Sequence, residues 1–420
     1  MPGVGFSMLA FPRARQCLKL LPFLAGLLVA SLVSGCGSTT AMTEMMANAD
    51  APHSILTFVC STRQDGHGGD EMRPDGPAYS LQILSVPPDH HPGQIERPAF
   101  GSPDPQHHIM VASTREMTEA EFRNELATNI SGRIGSNRDV LLYVHGFNTS
   151  FDAARFRLAQ IVTDGRFGGI PVLFTWPATN SVFDYEAARE SATASRDSLA
   201  NLLKDLSEVP DIGRIHILAH SMGTWLTMEA LRQRAIAGSP SLNGKLGLVM
   251  LAAPDIDLSV FRSQLSELDA SHFSVLVSAD DRALSLSQTL AGDRPRVGAL
   301  DPRKRSDRIA LARLGVKVYD LSGKSDGLID HDAYADLPDV VRSIGAQIGR
   351  SRIQDQDVTA VLGQRPVDTQ VTASPLPPAG AGAAPLGANA PTDGKSALPQ
   401  AGSVPAPPAA VPAAPAPPTQ

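Results

Sequence analysis

Between about residue 140 and residue 350, short apolar runs alternate with longer stretches of helical periodicity. This alternation restricts the fold more than any other feature of the chain. The runs are Val-Leu-Leu-Tyr-Val at 140–144, Pro-Val-Leu-Phe-Thr-Trp at 171–176 and Ile-His-Ile-Leu-Ala at 215–219, then 246–251, 273–277 and 316–321. Most are nearly continuous in apolar residues, as a strand covered on both faces must be. Helical stretches at 152–162, 185–206 and 333–348 lie among them. Strands linked through helices lie parallel, so the expected fold class is α/β, a doubly wound and mostly parallel sheet in a single domain. In such sheets, binding and chemistry gather at the carboxyl ends of the strands. His145, Ser221, Asp255, Asp281 and His331 all fall at or just beyond such ends. Upstream, 54–61 and 79–86 read as further strands, and 119–130 as a helix with Phe122, Leu126 and Ile130 on one face.

The two ends of the chain are of another kind. Arg13, Arg15 and Lys19 precede an apolar run at 20–33 that is short for a membrane span. The run closes on Leu32-Val33-Ser34-Gly35-Cys36, which resembles a bacterial lipoprotein signal. That resemblance implies cleavage before Cys36 and lipidation of Cys36. With Gly37 rather than Asp behind the cysteine, it also implies a place in the cell envelope, on the outer membrane facing the periplasm. An ordinary secretory signal or a weak membrane anchor is the competing reading. Residues 37–52 then form a tether and 53–350 the folded domain. Residues 351–420, rich in Pro, Ala and Gly from about 366, form a tail too poor in apolar side chains to fold. Cys17 and Cys36 belong to the leader, which leaves Cys60 without a disulfide partner. A net charge of −7 with no basic block argues against nucleic acid as a partner. The pairs His90/His91 and His107/His108 lack carboxylates or cysteines at ligand spacing and read as exposed loop histidines, so no metal and no cofactor is expected.

The run at 215–219 leads straight into Ala219-His220-Ser221-Met222-Gly223, after which Trp225, Met228, Ala230 and Leu231 follow at helical spacing. A serine between small residues, on a sharp strand-to-helix turn, is the pattern of a nucleophile elbow, with Ala219 where Gly is usual. Taken alone, the stretch also fits an ordinary strand–turn–helix with an incidental serine. A serine hydroxyl needs a base to take its proton and a carboxylate to fix the tautomer of that base. The order serine, acid, histidine is supplied by Ser221, then Asp280 or Asp281, then His331, the one histidine after them. Asp255, one strand earlier, is a rival acid. Each aspartate could equally be a helix N-cap. Two backbone N–H groups are candidates for an oxyanion hole: that of Met222, and one near Phe147 in the loop Val144-His145-Gly146-Phe147.

These segments together resemble the α/β-hydrolase superfamily, and within it a bacterial group of uncharacterised esterase- and lipase-like proteins. The resemblance rests on residues 144–151 (Val-His-Gly-Phe-Asn-Thr-Ser-Phe), 173–177 (Leu-Phe-Thr-Trp-Pro), 219–223, 253–257 (Ala-Pro-Asp-Ile-Asp) and 278–284 (Ser-Ala-Asp-Asp-Arg-Ala-Leu), with Ser85-Val86-Pro87-Pro88, Gly93 and Glu96 upstream. It covers about residues 55–350. It favours Asp281 as the acid, because an Asp-Arg-Ala-Leu run follows this strand in the similar sequences. Ala188 stands where the group often carries Asp. The implied activity is a serine hydrolase acting on carboxylic esters, either small molecules or lipids, at a membrane reached through the N-terminal lipid. Two other readings share the scaffold: an envelope lipoprotein that binds without catalysis, and peptidase or thioesterase chemistry on the same triad.

Overall fold

Nine strands form one sheet in the order β3-β2-β1-β5-β4-β6-β7-β8-β9. They are β1 (His53–Ser61), β2 (Ala78–Val86), β3 (Met110–Met117), β4 (Val140–Val144), β5 (Ile170–Thr175), β6 (Ile215–His220), β7 (Leu246–Ala252), β8 (Phe273–Val277) and β9 (Lys317–Asp320). The structure, a computed structural model, describes residues 51–64, 71–178, 184–324 and 331–349. The expected leader with Cys36, nearly all of the tether and the C-terminal tail lie outside them. From β1 through β5, β4, β6, β7 and β8 to β9 every pairing is parallel. β2 runs antiparallel to both of its neighbours. This is an α/β-hydrolase fold.

Helices cover both faces. The longer ones are α1 (Glu119–Ser131), α2 (Phe151–Asp164), α3 (Tyr185–Glu208) and α4 (Met222–Ile236). Shorter ones follow: α5 (Leu258–Leu265), α6 (Arg282–Leu290), α7 (Arg305–Ala312), α8 (Ala333–Asp336) and α9 (Pro338–Gly349). The pleat of β4 shows why the central runs are apolar throughout. Val140, Leu142 and Val144 enter one core with α1, α3 and α4, while Leu141 and Tyr143 enter the other with α2 and α9. Fully burying one such side chain contributes about 1.5–3 kcal/mol. Among the described residues no helix is long and apolar enough to cross a membrane.

Three details depart from the sequence reading. Strand β3 was not expected: its middle, Ala112 to Glu116, is exposed and polar, so an outer strand leaves no apolar alternation to detect. The helix expected over 333–348 is two helices that break at Leu337, which is extended (ψ 107°) because Pro338 disfavours helical backbone in the residue before it. The histidine pairs are not uniformly exposed. His91 and His107 are, the latter facing Asp89 at 2.8 Å. His90 is enclosed, with Nδ1 2.9 Å from Glu96 and Nε2 3.0 Å from Asp164. The two carboxylates sit on opposite ring nitrogens and do not converge on a point. Burial opposes charge on this imidazole, but the bonds to Asp164 and Glu96 outweigh it and raise its pKa.

Candidate active site

The order of the strands reverses around β4: β5 lies on one side of it and β6 on the other. A crevice opens at such a reversal, outside the carboxyl ends of the strands. His145 leaves β4 there, and Ser221 leaves β6 one strand away.

Ser221 stands between β6 and α4 with φ 52° and ψ −126°, a conformation that side chains other than glycine rarely adopt. Holding it costs about 1–3 kcal/mol, so the surroundings must over-determine it. They do so through the backbone. The Ser221 N–H donates to the Ala252 carbonyl of β7 at 2.9 Å. The Ser221 carbonyl accepts from Thr224 N at 3.0 Å, Thr224 Oγ1 at 2.6 Å and Asp255 N at 3.4 Å. Ala219 is fully buried and keeps a negative φ, so its methyl fits where the usual pattern has glycine.

Gly223 has no such latitude. A Cβ there would lie 2.2 Å from the His145 carbonyl oxygen and 2.8 Å from that of Val144. Helix α4 therefore packs its first turn directly on the end of β4. Gly223→Ala is expected to destabilise the protein by about 3 kcal/mol, because the obstacle is main chain that cannot rotate away. Urea denaturation is the check, and an unchanged midpoint would show that β4 and α4 can separate without cost.

Gly146 touches the elbow from the other side: a Cβ there would come within 2.8 Å of Ser221 Cβ. The loop it belongs to is held by His145, which is fully buried. Burial, then the nearby Arg63, push this imidazole far below its ordinary pKa, so it is neutral. Trp176 N–H donates to Nε2 at 3.3 Å, so Nε2 accepts and Nδ1 carries the proton. That proton goes to the Gly146 carbonyl at 2.9 Å. The N–H of Phe147 belongs to the same planar trans peptide and so points the opposite way, off the His145 ring. The next amide, Asn148 N–H, is taken by the Ala178 carbonyl at 2.9 Å. The Met222 N–H is a first-turn amide of α4, one of those a helix leaves without an internal acceptor. The indole of Trp176 stacks on His145 (centroids 5.5 Å apart, planes 2° apart) and donates to its carbonyl at 3.0 Å.

The expected acid and base meet. His331 Nδ1 lies 2.7 Å from Asp281 Oδ2. Asp281 is fully buried, and its other oxygen accepts from Leu284 N at 3.0 Å, capping α6. The two readings of this residue, cap and partner of a histidine, are thus both true, one for each oxygen. Burial opposes the charged form of His331, but the bond to Asp281 and the charges of Asp281, Asp332 and Asp255 outweigh it and raise its pKa above the ordinary value. The His331 carbonyl is 3.1 Å from Nε2 of His220, the residue before Ser221. The rival carboxylates are disposed otherwise. Asp280 is exposed on the loop after β8. Asp255 is buried and occupied on both oxygens: Oδ2 accepts from Tyr185 Oη at 2.9 Å, Oδ1 accepts from Ser287 Oγ at 2.5 Å, and the Arg296 guanidinium forms an ion pair with it, Nε 3.2 Å from Oδ1.

Beyond weighing Asp255 as a rival acid, the sequence reading gave no role to the Tyr185–Asp255–Ser287–Arg296 cluster, nor any to Arg63, whose Nη2 donates to the Thr149 carbonyl at 2.7 Å and whose Nε donates to Thr175 Oγ1 at 2.9 Å. Their partners are brought together only by folding, and no spacing signals them. Among the described residues no group of three or more His, Cys, Asp or Glu side chains is arranged to hold a metal ion.

The family model for alpha/beta hydrolases of unknown function (DUF900) matches residues 118–352, more than half of the chain, and the protein belongs to that family. An uncharacterised protein of Nostoc sp., alr1448, is 39% identical over 61 residues. The match spans 14% of this chain and only 16% of that relative. Among solved structures, a Pyrobaculum calidifontis esterase is similar over 76% of this chain and 91% of its own, at 13% identity and a TM-score of 0.36. ESTFA in an Fe-lacking apo form is similar over 56% and 90%, at 14% identity and a TM-score of 0.29.

Proposed function

We propose that the protein is a serine hydrolase that cleaves carboxylic esters through an acyl-enzyme on Ser221. The observation that carries this reading is the Asp281–His331 hydrogen bond, joined through the contact of the His331 carbonyl with His220 Nε2 at 3.1 Å to the strained turn that holds Ser221. In the first step the Ser221 oxygen attacks the ester carbonyl carbon while its proton passes to Nε2 of His331. Asp281 holds the Nδ1 proton, which leaves Nε2 as the acceptor. The electron pair displaced onto the carbonyl oxygen is met by the N–H groups of Met222 and Phe147, each donor of this kind being worth about 10²–10³ in rate. Collapse expels the alcohol, which takes the proton from His331. Water then repeats the cycle on the acyl-enzyme, and the acid leaves. The substrate is a small-molecule or lipid ester, and lipidation of Cys36 places the enzyme on the membrane of the cell envelope.

The test is covalent. A fluorophosphonate incubated with the full-length protein should leave one adduct, mapping to the peptide that contains Ser221, and should block hydrolysis of a short p-nitrophenyl ester. Folded protein that takes no label and turns over no ester would instead favour a binding protein on a hydrolase scaffold.

A further inference from the structure

The mechanism above gives no part to His220, although its imidazole lies in the site and is 5% exposed. We propose that His220 is a positioning residue: its Nε2–H holds the main-chain carbonyl of residue 331 and so fixes where the catalytic imidazole stands relative to Ser221. The inference rests on the serine hydrolase reading and deepens it.

A carbonyl can only accept, so the 3.1 Å contact requires the proton of His220 on Nε2. The ring is clamped in that orientation. Tyr334 stacks on it with centroids 4.6 Å apart and planes at 29°, and His331 itself lies 4.6 Å away at 53°. On the other edge Nδ1 faces Gly146, where a Cβ would approach to 3.0 Å. Tyr334 is fastened in turn, its hydroxyl 2.8 Å from that of Tyr143 on β4. A line of contacts therefore runs from the central strand through Tyr143, Tyr334 and His220 to the backbone of the base. It does not pass through Asp281, which bonds the His331 side chain at Nδ1.

The position also calls for a neutral group. The titratable groups around His220 are His331, Asp332 (Oδ1 at 3.8 Å), Tyr334, Asp281 and His145. Burial, then the proximity of His331, push the His220 pKa down to about 4. It therefore stays uncharged while His331 becomes an imidazolium during turnover. A cation in this place would oppose that step. Glutamine keeps an N–H donor near the position of Nε2. Phenylalanine keeps a ring for Tyr334 but has no donor.

The experiment compares His220→Phe and His220→Gln with wild type, as full-length protein in detergent, per fluorophosphonate-titrated site. For the Phe variant kcat should fall about tenfold to a hundredfold, the usual cost of a slightly misplaced catalytic group, with KM little changed. The Gln variant should fall by no more than about threefold, because the donor is retained. A purely structural role would reduce the number of titratable sites and leave kcat per site alone. A Phe variant with wild-type kcat per site, or a Gln variant as impaired as Phe, would overturn the proposal. If the Phe protein does not fold, His220→Met carries the same expectation. If wild type neither labels nor turns over, the hydrolase reading has failed, and positioning is then read directly with ¹³C-labelled histidine. The His331 Cε1 resonance, assigned through His331→Gln, should shift and broaden in the donor-less variant. An unchanged line would reject the role of His220 whatever the activity.

Discussion

Replacing Ser221 by glycine is expected to do two opposite things: remove turnover and make the protein harder to unfold. Loss of the nucleophile in a triad of this kind costs about 10⁶-fold in kcat. The gain in stability comes from the backbone. Serine at φ 52° and ψ −126° stores about 1–3 kcal/mol, and glycine reaches the same angles with little strain. Part of that relief is offset by the greater freedom of glycine in the unfolded chain, so a net gain of about 1 kcal/mol is expected. Ser221→Ala separates the two effects. It should lose turnover as completely, yet it keeps a Cβ in the same strained turn and gains nothing of this kind. The check is urea denaturation of the three proteins side by side. An alanine variant as stable as the glycine one would mean that the turn holds no strain, and an alanine variant with full activity would remove Ser221 from the mechanism.

Asp281→Asn should lower kcat by about 10⁴-fold with the fold intact. Asparagine is as good a helix cap as aspartate, so its oxygen can keep the bond to Leu284 N, and stability should change by less than about 0.5 kcal/mol. Its amide nitrogen would then occupy the place of Oδ2 and donate to His331 Nδ1. That moves the imidazole proton to Nε2, the atom that receives the proton of Ser221 in the proposed mechanism. The pH profile should move as well. In the proposed mechanism the base works only when deprotonated, so wild-type kcat/KM should rise with pH as His331 passes through a pKa that Asp281 helps hold above the ordinary value. Without that charge the pKa falls, and the residual activity should reach its plateau at lower pH. Steady-state rates from about pH 5 to 9 measure both effects. A variant retaining a tenth or more of wild-type kcat would mean that a different group orients His331.

How much of this was legible in the sequence follows from burial. The strands from β4 to β8 are covered on both faces, so their residues are mostly apolar, and the positions of these strands and of β9 could be read within a residue or two. The elbow was legible for a related reason: Gly223 lies against main chain, and that contact tolerates no side chain. Asp281 and His331 could be placed after the strands that are β8 and β9, but the choice of Asp281 over Asp255 rested on resemblance. In the structure Asp281 contacts His331, whereas Asp255 is engaged by Tyr185, Ser287 and Arg296. That cluster joins residues up to about a hundred positions apart, and periodicity carries no trace of it. His220 was in plain view inside the motif, yet its partner is a backbone carbonyl, which has no signature in a string of side chains.

Strand β3 closes one end of the sheet, and the residues that hid it from a hydrophobic pattern have a consequence of their own. An outermost strand offers a row of main-chain donors and acceptors to any neighbour that can lie alongside. Here Arg115, paired with Glu125 at 2.7 Å, and Glu116 set charge along that margin. Zipping two copies together there would bring like charges close or strip them of solvent. If lipid at Cys36 crowds many molecules onto one bilayer, this guarded margin keeps them from fusing sheet to sheet.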